Sequence, residues 1–295
     1  LKRLLLPLLI TIGIFFVLFT QISLEDLYHL LKNINLLWAI LGSMGYLLAI
    51  LFRAIRFRWL IHSKDIPLSE LFKITIFYNL SLMILPSKLG ELAYPYFLNK
   101  ISGLTFTEGL ASLITSRVYD FFIILLIFLI ASIGFQSLFK INLFLIILFV
   151  ALLIGVTFLV FFYMSNLLKF SSNALRKISE QIGAKNSKPF QWSQRKIHEM
   201  AEDFYAIKAR RTYLSVAMIS LISWIMVFWM FYAFLMGFGI SISFFNVIFG
   251  STIAIFANAL PISGLGNWGI LEAGWAAGFL LVGLSKGEAI ATGLG

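Results

Sequence analysis

Long apolar runs separated by short polar breaks dominate the chain, and the runs differ in whether they are interrupted. About 20 consecutive apolar residues cross the roughly 30 Å hydrocarbon layer of a bilayer as a helix. On that criterion 4–20, 36–52, 118–135, 141–164 and 213–237 predict spanning helices. The segment 24–31, with Glu25 and Asp26 in its first turn, predicts a short helix lying in the interface. Two further apolar stretches, 71–98 and 244–283, are broken from within. One holds Pro86-Ser87-Lys88-Leu89-Gly90-Glu91, the other Pro261-Ile262-Ser263-Gly264-Leu265-Gly266 with Glu272 shortly after. Proline removes a backbone donor and glycine frees the backbone, so each stretch predicts a broken, re-entrant hairpin.

Composition then sets the class. Over 295 residues, 60% are hydrophobic and 12% charged, and the mean hydropathy is +0.96. That is too little polar surface to cover a soluble globule. The short alternating segments of a membrane barrel do not recur. The prediction is therefore an all-α polytopic helical membrane protein, with 1–295 forming a single transmembrane domain. A net charge of +10 is compatible with nucleic-acid binding in general, yet the basic residues sit in loops that flank apolar runs. This is the positive-inside bias of membrane proteins and argues against a nucleic-acid partner.

That bias orients the chain. Arg53, Arg56 and Arg58, with Trp59 at headgroup level, follow 36–52. The segment 165–212, broken near 185–189, carries ten Lys/Arg against four Asp/Glu. Both are assigned to the cytoplasm, as is the N-terminus, where Lys2-Arg3 precedes a retained anchor helix. With Arg117 at the cytoplasmic edge of 118–135, the hairpin 71–98 enters from the cytoplasm and 244–283 from outside. This is the topology of an inverted repeat. The chain starts without Met and ends in what resembles the opening of a helix, so truncation at both ends is expected, with a terminal span after 288. The expected location is a bacterial inner membrane or archaeal plasma membrane.

Candidate chemistry is confined to a few residues. Zero Cys and three scattered histidines, His29, His62 and His198, speak against a thiolate nucleophile, a disulfide or a metal centre, and no cofactor is expected. Gly264, Gly266 and Gly269 fit the spacing of a dinucleotide-binding loop, but no strand precedes them and nucleotide binding is rejected. Those glycines either direct helix-start amides at a buried anion or permit close helix packing, for which Gly274 and Gly278 also speak. Lys88, Glu91, Arg117, Asp120 and Glu272 fall in or near spans, where charge turns inward and finds partners. They form either a structural network or a site for a phosphate headgroup, and the sequence leaves both open. Arg53, Arg56, Arg58 and Lys64 are either topology determinants or contacts for lipid phosphate on the cytoplasmic side. The Asn79-Leu80-Ser81 sequon lies in apolar surroundings and is dismissed.

Together Arg53-Ala-Ile-Arg56-Phe-Arg58-Trp59, Asn79 with Pro86 to Glu91, Ser116-Arg117-Val-Tyr-Asp120, and Pro261 through Glu272 give the chain a family likeness. It resembles the transmembrane region of lysylphosphatidylglycerol synthases and related stand-alone flippase-like proteins. The resemblance implies movement of an anionic or aminoacylated phospholipid, or a lipid-linked precursor, between leaflets, without nucleotide and without enzymatic activity. Two positions depart from the family pattern. Tyr94 stands where a basic residue often follows the Gly-Glu pair, and Asn267-Trp268 interrupts a small-residue run. The expected substrate-binding residues are Lys88, Gly90, Glu91, Arg117, Asp120, Gly264, Gly266 and Glu272, with no metal ligands. Membrane lipids are the expected partners, with a second copy of the chain or an envelope-biosynthesis enzyme as further candidates. The rival readings are a membrane enzyme acting on a polyprenyl-phosphate or phospholipid, with Glu91 or Asp120 as base, and a non-transporting scaffold.

Overall fold

A computed structural model describes residues 12–14, 16–17, 20, 32, 34–85, 87–134, 143–181, 187–259 and 269–294, and leaves the side chains of 87–88, 133–134, 143, 145–146 and 160–161 undescribed. Among the described residues the regular structure is helical throughout. Its elements are α1 (Leu36–Leu60), α2 (Leu68–Ile84), a 3-10 segment (Ser87–Leu92), α3 (Ala93–Ser102), α4 (Phe106–Gly134), α5 (Leu143–Gln181), α6 (Lys188–Ala209), α7 (Tyr213–Gly237), α8 (Phe244–Ala259), α9 (Ile270–Leu281) and α10 (Lys286–Leu294). Three of these are long and apolar enough to cross a membrane, α1, α4 over Phe106–Ser132, and α7. A fourth is added if α5, bent by 51° between Ile147–Leu159 and Phe162–Gln181, counts as one span. Most of 4–20, all of 24–31, Pro86 and the interruption 261–266 lie outside the described residues.

Local sequence sets the helix starts. Asn35 accepts from the amides of Leu37 and Trp38 at the head of α1, and Ser285 and Glu288 form a reciprocal cap on α10. Thr105 accepts from the Glu108 amide. The Glu108 carboxylate, instead of returning to its own helix start, accepts from the backbone amides of His62 and Ser63, both at 2.9 Å. It thereby fixes the α1–α2 loop to the start of α4. Helices extend beyond the apolar runs that announced them, as α5 does in running on to Gln181. α1 carries on to Leu60 and contains all three arginines, and α4 begins at Phe106, so that Arg117 lies within a helix instead of at its edge.

Packing rests on two kinds of contact. α1 and α7 run antiparallel, since the Asn35 amide donates to Gly237 at one end and Arg210, just before α7, donates to the Ile61 carbonyl at the other. Gly45 allows this approach, because a Cβ there would stand 2.8 Å from the Trp229 ring. α8 and α9 touch through bare backbone: a Cβ on Gly278 would lie 2.1 Å from the Gly250 carbonyl oxygen. This is the small-residue packing that lets membrane helices associate without a hydrophobic driving force. The segment from α2 to α3 doubles back on itself. Ser102 at its end donates to Glu70 near its start, and Lys64 reaches the Ser102 carbonyl at 3.1 Å. At the far side of this fold-back Gly90 sits against the α2 backbone, with room for no Cβ beside Leu82.

Candidate functional site

Polar side chains buried between apolar helices must satisfy one another, and the bundle gathers its charges accordingly. Arg56 of α1 is 2% exposed. Its guanidinium grips Asp120 of α4 through Nη1 to Oδ1 at 2.5 Å and Nη2 to Oδ2 at 3.2 Å. It also donates to Ser116 at 2.5 Å and to Ser220 of α7 at 3.1 Å. Trp224, one turn beyond Ser220, donates from Nε1 to Asp120 Oδ1 at 2.8 Å. Three helices are thus joined at one ion pair. Ser116 and Asp120 stand four apart on α4, as do Ser220 and Trp224 on α7, so each pair presents one face.

A second, more open cluster adjoins the first. Arg117 donates to both oxygens of Glu91, at 2.7 and 2.9 Å, and to the Tyr78 hydroxyl, while that hydroxyl donates to Glu91 at 2.6 Å. The Arg117 side chain remains 43% exposed and that of Glu91 28%. Arg117 Nη1 also lies 3.7 Å from Asp120 Oδ2, which links the two clusters. Arg53, one turn before Arg56, donates to the Asn79 side-chain oxygen at 2.9 Å and faces the Trp224 ring at 5.8 Å. Asn79 is itself oriented by donating to the Thr75 carbonyl. Three guanidiniums therefore surround two carboxylates in this region, an excess of positive charge that favours an anion.

The expected site residues divide. Glu91, Arg117 and Asp120 come together, joined by Arg53 and Arg56, which turn into the bundle. Gly90 supports the fold-back beneath Glu91. Arg58 points elsewhere and pairs at the surface with Asp65 at 3.1 Å. Glu272 accepts from the Gly269 amide at 2.6 Å and so serves the start of its own helix. Gly264, Gly266 and the Lys88 side chain lie outside what is described. Tyr78, Ser116, Ser220 and Trp224 were not anticipated. Their signal was polar residues at helical spacing inside runs read only for hydropathy. Tyr94, the departure from the family pattern, is fully buried and stacks on Phe57 at 4.0 Å.

At the end of the bundle where α1 finishes, His62 stands between two carboxylates, with Nδ1 3.2 Å from Glu108 and Nε2 3.5 Å from Asp203 of α6. Burial pushes the Asp203 carboxyl above the usual range. No group of three or more His, Cys, Asp or Glu side chains suited to a metal ion occurs among the described residues.

Neither curated proteins nor solved structures match the chain. The family model described as the lysylphosphatidylglycerol synthase TM region matches residues 4–295, so the chain belongs to that family and with it to the multi-pass membrane proteins of lipid metabolism or transport.

Proposed function

We propose that the chain is a translocator that moves an anionic or aminoacylated phospholipid, or a lipid-linked precursor, between leaflets without nucleotide and without chemistry on its cargo. The observation that carries this reading is the imbalance of three guanidiniums, Arg53, Arg56 and Arg117, over two carboxylates, Asp120 and Glu91. Arg56 and Asp120 neutralise each other in the buried cluster and brace three helices. Arg53 donates to a neutral amide oxygen and keeps its full charge available, and Arg117 is partly open. A phosphate entering beside them gains charge-assisted hydrogen bonds. Glu91 then shares Arg117 with the phosphate, or pairs with the amine of an aminoacylated headgroup. Lys88, three residues before Glu91 on the 3-10 segment, adds a further cation on this reading.

The fold-back from α2 to α3 supports entry of this region as a hairpin from one side of the membrane. The positive-inside bias makes that side the cytoplasm. α8 and α9 form the opposed hairpin on the same reading, with Gly264 and Gly266 opening the backbone toward the cargo. Such paired interruptions surround substrate sites in transporters.

Reconstitution into vesicles with fluorescent anionic or lysylated phospholipids tests the proposal. Transbilayer movement exceeds that of protein-free vesicles, and Arg53→Gln slows it at least about tenfold, the size of one lost charge-assisted hydrogen bond. Movement equal to that of empty vesicles overturns the reading. Headgroup conversion in the recovered lipid would make the chain an enzyme instead.

A further inference from the structure

A cavity of about 730 Å³ lies apart from the guanidinium cluster, at the end of the bundle where α1 finishes. Its wall is of two kinds. Ile55 and Trp59 of α1, one turn apart, and Leu68 of α2 form an apolar side, and Trp59 is 42% exposed. Arg58, Lys64 and Arg210 form a cationic side, with Asp65 as the single carboxylate on the lining.

The partners of these cations decide what the cavity attracts. Lys64 donates to the Ser102 carbonyl and Arg210 to the Ile61 carbonyl. Both are held in place by neutral oxygens and keep their charge. Arg58 pairs with Asp65, but both side chains are largely in solvent, where such a pair is weak and readily exchanged. An anion at this point meets three ordered cations and displaces little. The apolar side begins at Ile55, deeper along α1 than the cations, so whatever binds carries apolar substance alongside its charge. The volume falls in the range of small-molecule sites, about 300–1,000 Å³.

We infer that this cavity holds the phosphate headgroup of an anionic glycerophospholipid from the adjacent leaflet, with the phosphate on Arg58, Lys64 and Arg210 and the upper acyl segments along Ile55 and Trp59. The site is distinct from the Arg53, Arg56 and Arg117 cluster and stands without any movement of lipid between leaflets. The bound lipid bridges the α1–α2 loop to Arg210 at the head of α7, and so joins the end of α6 to the spanning bundle.

The test uses the full chain in nanodiscs of phosphatidylcholine with and without phosphatidic acid, with retained lipid counted by native mass spectrometry. The wild type retains phosphatidic acid, and the Arg58→Gln/Lys64→Gln/Arg210→Gln variant does so far less, at about fivefold per cation removed. Arg58→Gln alone, which releases only an exposed partner, lowers retention by about that single step and guards against misfolding of the triple variant. Arg53→Gln removes at most lipid held at the guanidinium cluster, so the triple substitution causes the same further loss in the Arg53→Gln background. Equal retention of phosphatidylcholine, unchanged retention in a folded triple variant, or no further loss when the triple substitution is made in the Arg53→Gln background overturns the assignment. Displacement by soluble glycerol phosphate at similar concentration shows a site for free phosphate esters and overturns the lipid.

Discussion

The two fold-backs of this protein, α2 to α3 and α8 to α9, are alike in pairing two short helices and opposite in what holds them. In the first, charges reach across to other helices: Glu91 to Arg117, Asn79 to Arg53, and Glu70 to Ser102 at its base. In the second, backbone meets backbone at Gly250 and Gly278, Gly274 sits against Ala254 and Ala257, and Glu272 stays with Gly269 of its own helix. A buried ion pair costs desolvation and returns specificity of arrangement, whereas glycine contact gains dispersion with no charge to satisfy. The charged fold-back is therefore the one equipped to exchange partners with a ligand. The glycine-packed one is equipped to stay fixed.

The largest effect that sharpens this contrast comes from the ion pair beside the first fold-back. Arg56→Leu leaves Asp120 buried without its principal partner and lowers stability by about 3–5 kcal/mol, measured by unfolding in detergent. Adding Asp120→Leu recovers much of the loss, because no uncompensated charge remains. A loss from Arg56→Leu no larger than that of an ordinary apolar truncation would mean that charge does not organise this half.

The next effect is on the other side of the comparison. Gly278→Ala places a methyl group where the Gly250 carbonyl now stands, forcing α8 and α9 apart at about 1–3 kcal/mol. The hydrogen bonds described for the guanidinium cluster run among α1, α2, the 3-10 segment, α4 and α7, so the binding proposed for that cluster persists in the variant. Near-neutral stability for Gly278→Ala would show that the two helices can slide, and the description of a fixed second fold-back would fail.

Hydropathy made the helical class legible, and three of its runs lie in helices long and apolar enough to cross a membrane, because such a run has one stable solution in a bilayer. It placed the polar residues less well. The stretch from Phe106 to Ser116 holds Thr107, Glu108, Ser112 and Thr115, which lower its hydropathy, so the start of α4 was read too late and Arg117 was taken for a boundary residue. In the structure Ser112, Thr115 and Ser116 are all buried; Ser112 donates to the Gly109 carbonyl and Ser116 accepts from Arg56, so their polarity is met inside the bundle. Arg53, Arg56 and Arg58 were read as one cluster by proximity along the chain. Periodicity already separates them: Arg53 and Arg56 share a face of α1, and Arg58 projects from the other side. What no single-chain pattern carried is the convergence of Arg56, Asp120 and Ser220, since three elements far apart in sequence meet there.

The smallest stability effect is also the one that separates the two carboxylates expected to act alike. Glu272→Gln removes a negative charge from the first turn of α9, where it favours the helix dipole by about 0.5 kcal/mol, and leaves an amide oxygen able to accept from Gly269. Glu91→Gln changes stability little as well, because Glu91 is partly exposed, but it frees Arg117 from its counter-charge. On the proposed translocation, lipid movement changes severalfold or more in Glu91→Gln and stays near the wild-type rate in Glu272→Gln, when both are assayed in the same vesicles and shown to be folded. The sign of the change in Glu91→Gln carries further information. Tighter holding of an anionic phospholipid with slower release marks Glu91 as the group that competes with phosphate for Arg117. Loss restricted to aminoacylated lipid marks it as the group that receives the amine. Equal impairment in Glu91→Gln and Glu272→Gln would show that Glu272 serves the cargo as Glu91 does and erase the distinction between a fixed hairpin and an exchanging one.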